Sequence, residues 1–69
     1  MKRIDIRDLS QGDEVVITNK GEDPAVDGFR VRVICDPWQN PDGEWRVFIK
    51  FPRDYQSVEI RESKKDFYM

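Results

Sequence analysis

The sequence predicts an all-β protein, a small antiparallel barrel of four to five strands. Residues 29–35 and 45–51 both alternate between apolar and polar side chains, as strands with one buried face do. Apolar residues nowhere follow a helical spacing over three turns, and turn-forming residues separate four or five short strand-like segments. Because 69 residues are too few for two full sheets, one strongly bent barrel is the simplest arrangement.

The strand-like segments follow one another from the first residues to residue 61. Ile4 and Ile6 alternate with charged residues and indicate a short strand or arm. Residues 15–18 are β-branched and contiguous, which predicts a strand that is covered on both faces for part of its length. Residues 19–28, with two glycines and a proline, are expected to form a loop, and residues 57–61 alternate as a final strand.

The central prediction is a hairpin in which residues 29–36 pair with residues 44–51. The expected register places these residues opposite one another: Phe29 and Phe51, Val31 and Ile49, Val33 and Val47, and Cys35 and Trp45. Because side chains alternate between the two faces of a strand, a slip by one residue would turn this apolar set toward water. One face of the hairpin is therefore predicted to line the core.

Residues 1–62 are predicted to form a single β-barrel domain, followed by a tail over residues 63–69. Phe67 and Tyr68 in the tail either dock on the barrel or belong to a flexible end. A chain of this length buries only about 60% of its unfolded surface. With one cysteine and no histidine, neither an intrachain disulfide nor an ordinary zinc site can add stability, so a homo-oligomer remains possible.

The charge balance excludes some classes of protein. Fourteen acidic and twelve basic residues give a net charge of −2, which lacks the positive field of a nonspecific nucleic-acid binder. The first residues contain no apolar signal-peptide segment, and no apolar run approaches the roughly 20 residues that cross a bilayer. A single free cysteine suits a reducing compartment, so we expect a cytoplasmic protein without membrane contact.

Short segments of the chain resemble SH3-like barrels. Residues 8–17, Asp-Leu-Ser-Gln-Gly-Asp-Glu-Val-Val-Ile, resemble the leucine, glycine-aspartate and apolar strand with which such barrels begin. Residues 51–55, Phe-Pro-Arg-Asp-Tyr, are similar to the Phe-Pro-x-Asn-Tyr turn before the last SH3 strand, and residues 43–45 resemble its tryptophan-bearing strand. The alanine-leucine-tyrosine-aspartate-tyrosine opening is absent. The resemblance therefore implies barrel architecture rather than binding of proline-rich peptides.

No catalytic, metal or cofactor site is expected. The chain has no histidine, the commonest proton acceptor near neutral pH. Asp36, Asp42 and Glu44 crowd one end of the hairpin, but acidic residues at turns usually accept hydrogen bonds from nearby backbone amides. Residues 40–43 match a fragment of a calcium loop, yet Trp38 occupies an earlier ligand position and no glutamate follows at the required distance.

The outward face of the hairpin is predicted to be basic around one aromatic ring. Its members are Arg30, Arg32, Arg46, Lys50 and Phe48, and Arg61 joins from the last strand. Such a face can hold phosphates and stack a base or an aromatic side chain. It can also be an ordinary solvated face, on which Glu59 neutralises Lys50 or lies against Phe48.

Trp38 is the second candidate for a functional residue. The expected loop over residues 37–43 is longer than a hairpin requires and carries a tryptophan between two prolines. Large aromatic side chains on rigid loops are typical anchors of protein interfaces. Alternatively, Trp38 folds back to close an open end of the barrel.

These observations favour a non-catalytic interaction module that binds a protein partner. Trp38, Tyr55 and Phe48 are the candidate contact residues. The alternative is a nucleic-acid-binding barrel that uses Arg30, Arg32, Arg46, Phe48, Lys50 and Arg61. Acidic residues in the loops, namely Glu22, Asp23, Asp27 and Asp54, favour the protein partner because they would repel a long phosphate backbone.

Overall fold

The computed structural model describes residues 1–69 and consists mainly of antiparallel strands. The strands are β1 (Arg3–Ile4), β2 (Glu14–Asn19), β3 (Phe29–Val33), β4 (Trp38–Gln39), β5 (Trp45–Lys50), β6 (Val58–Arg61) and β7 (Lys65–Tyr68). A 3-10 helix spans Ile6–Asp8, and a single helical turn, α1, spans Pro24–Asp27. Neither helix has the length and apolar character needed to cross a membrane. The all-β class is confirmed, but there are seven strands rather than four or five.

All seven strands belong to one curled sheet that forms a half-barrel. The strands follow the order β1-β7-β2-β3-β5, and β4 continues along the β3 side of β5. β6 pairs with the opposite side of β5 and with no other strand. The sheet therefore keeps a free edge along β6.

The register of the central hairpin differs from the expected one by two residues. Val33 lies opposite Ile49 rather than Val47, and Arg32 lies opposite Lys50. The turn is tighter than expected, because the Gly43 amide donates to the Asn40 carbonyl at 2.8 Å. Residues 34–37 lie outside the strands and take up the extra length. A shift by two residues leaves every side chain on its predicted face.

Cys35 does not take the position that the expected register gave it. It lies in the irregular segment after β3, and its side chain is half-buried. Gln39 of β4 lies opposite Trp45 instead.

The concave side of the sheet holds the hydrophobic core. Val33, Val47 and Ile49 are completely buried at its centre, as the alternation predicts. Burial of each such side chain contributes roughly 1.5–3 kcal/mol. The remaining members of the core come from every part of the chain and are Ile6, Leu9, Val15, Ile17, Val31, Ile60 and Phe67.

β2 is covered on both faces, as its run of β-branched residues predicts. All residues from Val15 to Thr18 are buried. The segment 20–28 crosses the outer face of β2, and within it Pro24 begins α1 while the Asp23 carboxylate caps the Ala25 amide at 2.9 Å. The predicted loop thus contains a helical turn, and it acts as a lid over β2.

A buried carboxylate fastens this segment to the sheet. The Asp66 side chain is 7% exposed, accepts the Gly21 amide at 2.9 Å and lies 3.2 Å from the Lys20 ammonium. The Arg3 guanidinium is 3.8 Å away. Burial alone would raise the pKa of Asp66, but the Gly21 amide and the Lys20 ammonium outweigh it and the pKa is lowered.

The carboxy-terminal residues form an internal strand. Within the segment 63–69, β7 pairs with β2 on one side and with β1 on the other. Phe67 is buried in the core and Tyr68 is half-buried. Lys2 and Met69 also exchange two backbone hydrogen bonds, at 3.0 and 2.8 Å, so β7 is held along its whole length.

Candidate binding surface

The convex side of β5 presents the candidate residues. Because Val47 and Ile49 point into the core, Arg46, Phe48 and Lys50 point outward between them. All three outward side chains are half-buried by their neighbours. We call this convex side of β3 to β6 the outer face.

Trp38 and Phe48 form a tilted pair of aromatic rings on the outer face. Trp38 is not at the tip of a loop, as expected from the sequence, but in β4 opposite Arg46. This position is diagonal to Phe48, and the two ring centroids are 5.1 Å apart with an interplanar angle of 32°. The Trp38 indole N–H donates to the Asn40 side-chain oxygen at 2.7 Å. The indole is therefore fixed by a strand, a ring and a hydrogen bond.

Tyr55 extends the aromatic surface beyond the strands. It lies in the connection between β5 and β6 and is 97% exposed. The Lys50 ammonium lies 5.7 Å from the centroid of its ring, within the range of a cation–π contact. The three candidate protein-binding residues, Trp38, Phe48 and Tyr55, thus reach the same face through β4, β5 and the loop after it.

Three of the basic candidates line one cleft of about 340 Å³ on the outer face. Arg30 and Arg32 come from β3, and Lys50 comes from β5, directly opposite Arg32. Arg32 pairs with the Glu14 carboxylate at 3.1 Å. Arg30 and Lys50 form no ion pair and are available to an anionic ligand.

The other two basic candidates are placed differently. Arg46 bonds two carboxylates, that of Asp42 at 3.1 Å and that of Glu59 at 3.0 Å. Its side chain is 15% exposed, and its buried Nε has no hydrogen-bond partner. Arg61 lies opposite Arg46 on β6, and Glu59 lies opposite Phe48. The five cations therefore do not form one continuous patch.

The carboxylates near the end of the hairpin accept local hydrogen bonds. Asp36 accepts the Gln11 amide at 2.9 Å, and Asp42 accepts the Glu44 amide at 2.9 Å. The Ser63 hydroxyl, 2.5 Å from Glu44, and the Ser63 amide lower the pKa of that carboxyl. No three histidine, cysteine or acidic side chains come together in a way that could hold a metal ion.

Some residues of this surface were not identified from the sequence. Asn40 orients the indole of Trp38, and Pro52 and Phe51 form one wall of the basic cleft. Asn40 could have been identified from the sequence, because it follows Trp38 by two residues and its side chain can reach the indole. The cleft wall depends on the observed register, which periodicity does not determine.

We compared the chain with protein-family models, with curated protein sequences and with solved structures. None of the three comparisons finds a match. The chemistry of the outer face is therefore the basis for assigning a function.

Proposed function

We propose that this chain is a non-catalytic interaction module that binds a protein partner through its outer face. The observation that carries the proposal is Tyr55, a 97% exposed aromatic side chain that lies against Lys50 on the face that also presents the Trp38–Phe48 pair. Aromatic side chains are enriched among the residues that dominate interface energies. Trp38, which is held by a strand, a ring and a hydrogen bond, would also lose little conformational entropy on binding. Together the three aromatic side chains offer anchors that a partner can cover.

The charges on this face indicate the chemistry of the partner. Arg30 and Lys50 have no carboxylate partner and border the cleft next to Tyr55. An extended protein segment with one or two acidic side chains and an apolar residue would satisfy both the cations and the aromatic rings. We therefore propose an acidic, partly apolar segment as the bound element.

We also propose that the half-barrel belongs to the SH3-like architecture. The resemblances over residues 8–17 and 51–55 support this proposal. The first segment runs from a turn into β2, and the second lies in the connection between β5 and β6. A fold of this kind hosts many activities, so the architecture does not itself select the ligand.

Binding can be tested with a library of fluorescent peptides that combine aspartate or glutamate with apolar residues. Trp38→Ala should cost more than about 1 kcal/mol of binding free energy, and Tyr55→Ala should do the same without changing stability. Val26→Ala is a matched control, because Val26 is 76% exposed but lies on α1 over β2. If peptides bind and both aromatic variants bind as well as the parent, the outer face is not the site.

A nucleic-acid ligand is the second candidate, and one observation favours it. Arg30, Arg32 and Lys50 line a single cleft beside a tyrosine on which a base could stack. In this case affinity for a single-stranded oligonucleotide would fall steeply with salt, and Arg30→Ala would reduce the salt slope by about one. Trp38→Ala would then have the smaller effect. Binding that is insensitive to salt would eliminate this candidate.

A further inference from the structure

The free edge of β6 has unpaired backbone groups that point away from the sheet. The Glu62 amide donates to the Trp45 carbonyl at 3.0 Å, so the backbone groups of Glu62 and, two residues earlier, Ile60 face β5. In an antiparallel ladder the intervening residues face the other way. The amides of Glu59 and Arg61 therefore lie on the open side, where the structure gives them no acceptor.

An exposed edge of this kind is a template for another strand. Sheet proteins usually block such edges with a proline, a bulge or a covering loop. β6 has neither a proline nor an irregularity in its pairing with β5, and the turn over residues 61–64 occupies one group of this edge, the Arg61 carbonyl, which accepts the Lys64 amide at 3.1 Å. Beside it, Val58 and Phe29 are 39% and 64% exposed and border a groove of about 300 Å³. The edge thus combines free hydrogen-bonding groups with apolar surface.

The charges of β6 are complementary to those of a second β6. Two identical strands can pair antiparallel about a two-fold axis with the same face inward in both copies. This requires that one residue, at the centre, lies directly opposite the same residue of the other copy. A centre at Glu59 places two glutamates opposite each other, and a centre at Arg61 places two arginines opposite each other. A centre at Ile60 instead places Glu59 of each copy opposite Arg61 of the other. Like charges directly opposite are destabilising, so of these three registers only the one centred on Ile60 is favourable, and it places two opposite-charge pairs across the axis.

We propose that two copies of this chain form a symmetric dimer by pairing their β6 strands antiparallel, centred on Ile60. Glu59 and Arg61 then form hydrogen-bonded cross-strand pairs, in which the Arg61 carbonyl accepts the Glu59 amide through the lone pair that the Lys64 amide leaves free. The two Ile60 residues meet at the axis. Glu59 would lie between Arg46 of its own chain and Arg61 of the other. This inference goes beyond the proposed function, because it concerns a sheet edge and a second copy rather than the outer face and a partner protein.

Charge reversal gives a sharp test of the register. Glu59→Arg and Arg61→Glu each place two pairs of like charges across the axis and should weaken self-association by about tenfold or more. An equimolar mixture of the two variants should recover association, because every cross-strand pair in the mixed dimer is complementary. Sedimentation equilibrium between micromolar and millimolar chain concentration would measure both effects.

A variant on another strand provides the control. Glu14→Arg reverses one charge of the Glu14–Arg32 pair on β2, away from β6, and should leave self-association unchanged. A parent chain that stays monomeric at millimolar concentration would overturn the proposal. So would a dimer that responds to Glu14→Arg and not to the two β6 variants.

Amide hydrogen exchange of the unmodified chain tests the same dimer without any substitution. The Glu59 and Arg61 amides should exchange rapidly at low concentration and slow at least tenfold as the chain associates. The Glu62 amide is the internal reference, since it is bonded to β5 in either state. If the Glu59 and Arg61 amides exchange at the same rate at all concentrations, while sedimentation shows a dimer, the interface lies elsewhere and the proposal fails.

Discussion

The convex sides of β2 and β5 belong to the same sheet, but the side of β2 is covered by another segment and that of β5 is partly open to solvent. On β2, Val16 and Thr18 are buried beneath the segment 20–28. On β5, Phe48 and Lys50 are only half-buried, and the loop that follows leaves Tyr55 in solvent. Both strands contain β-branched residues on their inner faces. The difference shows that the connecting segments, rather than the strands, decide which part of the sheet remains open to solvent.

The largest expected effect lies on the inner face that both regions share. Val47→Asp places an unpaired carboxylate at a completely buried position and should unfold a domain of this size. Phe48→Asp is the matched control, because Phe48 is the next residue along β5 and its own side chain points outward and is half-buried. Circular dichroism and urea titration would compare them. Equal melting of Val47→Asp and the parent would show that the assigned inner face is wrong.

The next effect concerns the close approach of the covering segment to β2. A Cβ atom on Gly28 would lie 2.5 Å from Val16 Cγ1 and 2.4 Å from the Pro24 carbonyl oxygen. Gly28→Ala should therefore lift the segment and cost about 1–3 kcal/mol of unfolding free energy. The β2 amides should also exchange faster with solvent.

Gly43→Ala separates this steric effect from backbone strain. Gly43 has a φ of +88° and open space around it, so alanine there costs about 1–2 kcal/mol without touching β2. In the Gly43→Ala variant the β2 amides should stay protected from hydrogen exchange. If Gly28→Ala leaves them equally protected, the close contact does not hold the cover in place.

A smaller effect is expected from the polar anchor of the same segment. The folded-state pKa of Asp66 is lowered, so its contribution to stability is present above the unfolded pKa of about 3.9 and is lost as pH falls through the folded value. Asp66→Asn should cost about 1 kcal/mol at neutral pH. The difference in unfolding free energy between this variant and the parent should become smaller in acid. Urea titrations at several pH values would show this, and a difference that grows in acid would contradict it.

The smallest effect is expected on the open region. Tyr55→Phe and Tyr55→Ala should each change the unfolding free energy by less than about 0.5 kcal/mol, because the side chain is almost fully exposed. Thermal melts of the two variants would test this. A clear loss of stability would mean that Tyr55 packs on the sheet rather than being exposed to solvent.

The sequence predicted the faces of the strands better than their partners. Alternation depends only on whether a residue position is odd or even, so Val31, Val33, Val47 and Ile49 were correctly assigned to the core. The register depends on the whole connection, and the tight Asn40–Gly43 turn together with the irregular residues 34–37 shifted it by two residues. Short elements were also missed. The Asp23-Pro24 pair is a recognisable helix start, but the four residues of α1 are too few to show a periodicity.

The candidate site was predicted in composition but not in arrangement. Trp38, Phe48 and Tyr55 do reach one side of the molecule, although Trp38 does so from a strand. Arg46 could not be distinguished from Arg30 by sequence, since only the fold brings Asp42 and Glu59 to its guanidinium. Local pattern identifies which side chains face outward. Contacts between distant segments decide which of them remain free.

The position of β7 has a consequence for the order of folding. Its residues are the last strand in the chain, yet they pair with the first two, so the sheet cannot be completed until the most distant segments have met. Hairpins such as β5–β6 can form early because their partners are close in sequence. Closure by β7 carries the greater loop-entropy cost and is expected to limit the folding rate. During synthesis, one edge of β2 would therefore remain unpaired until residues 65–68 have emerged from the ribosome.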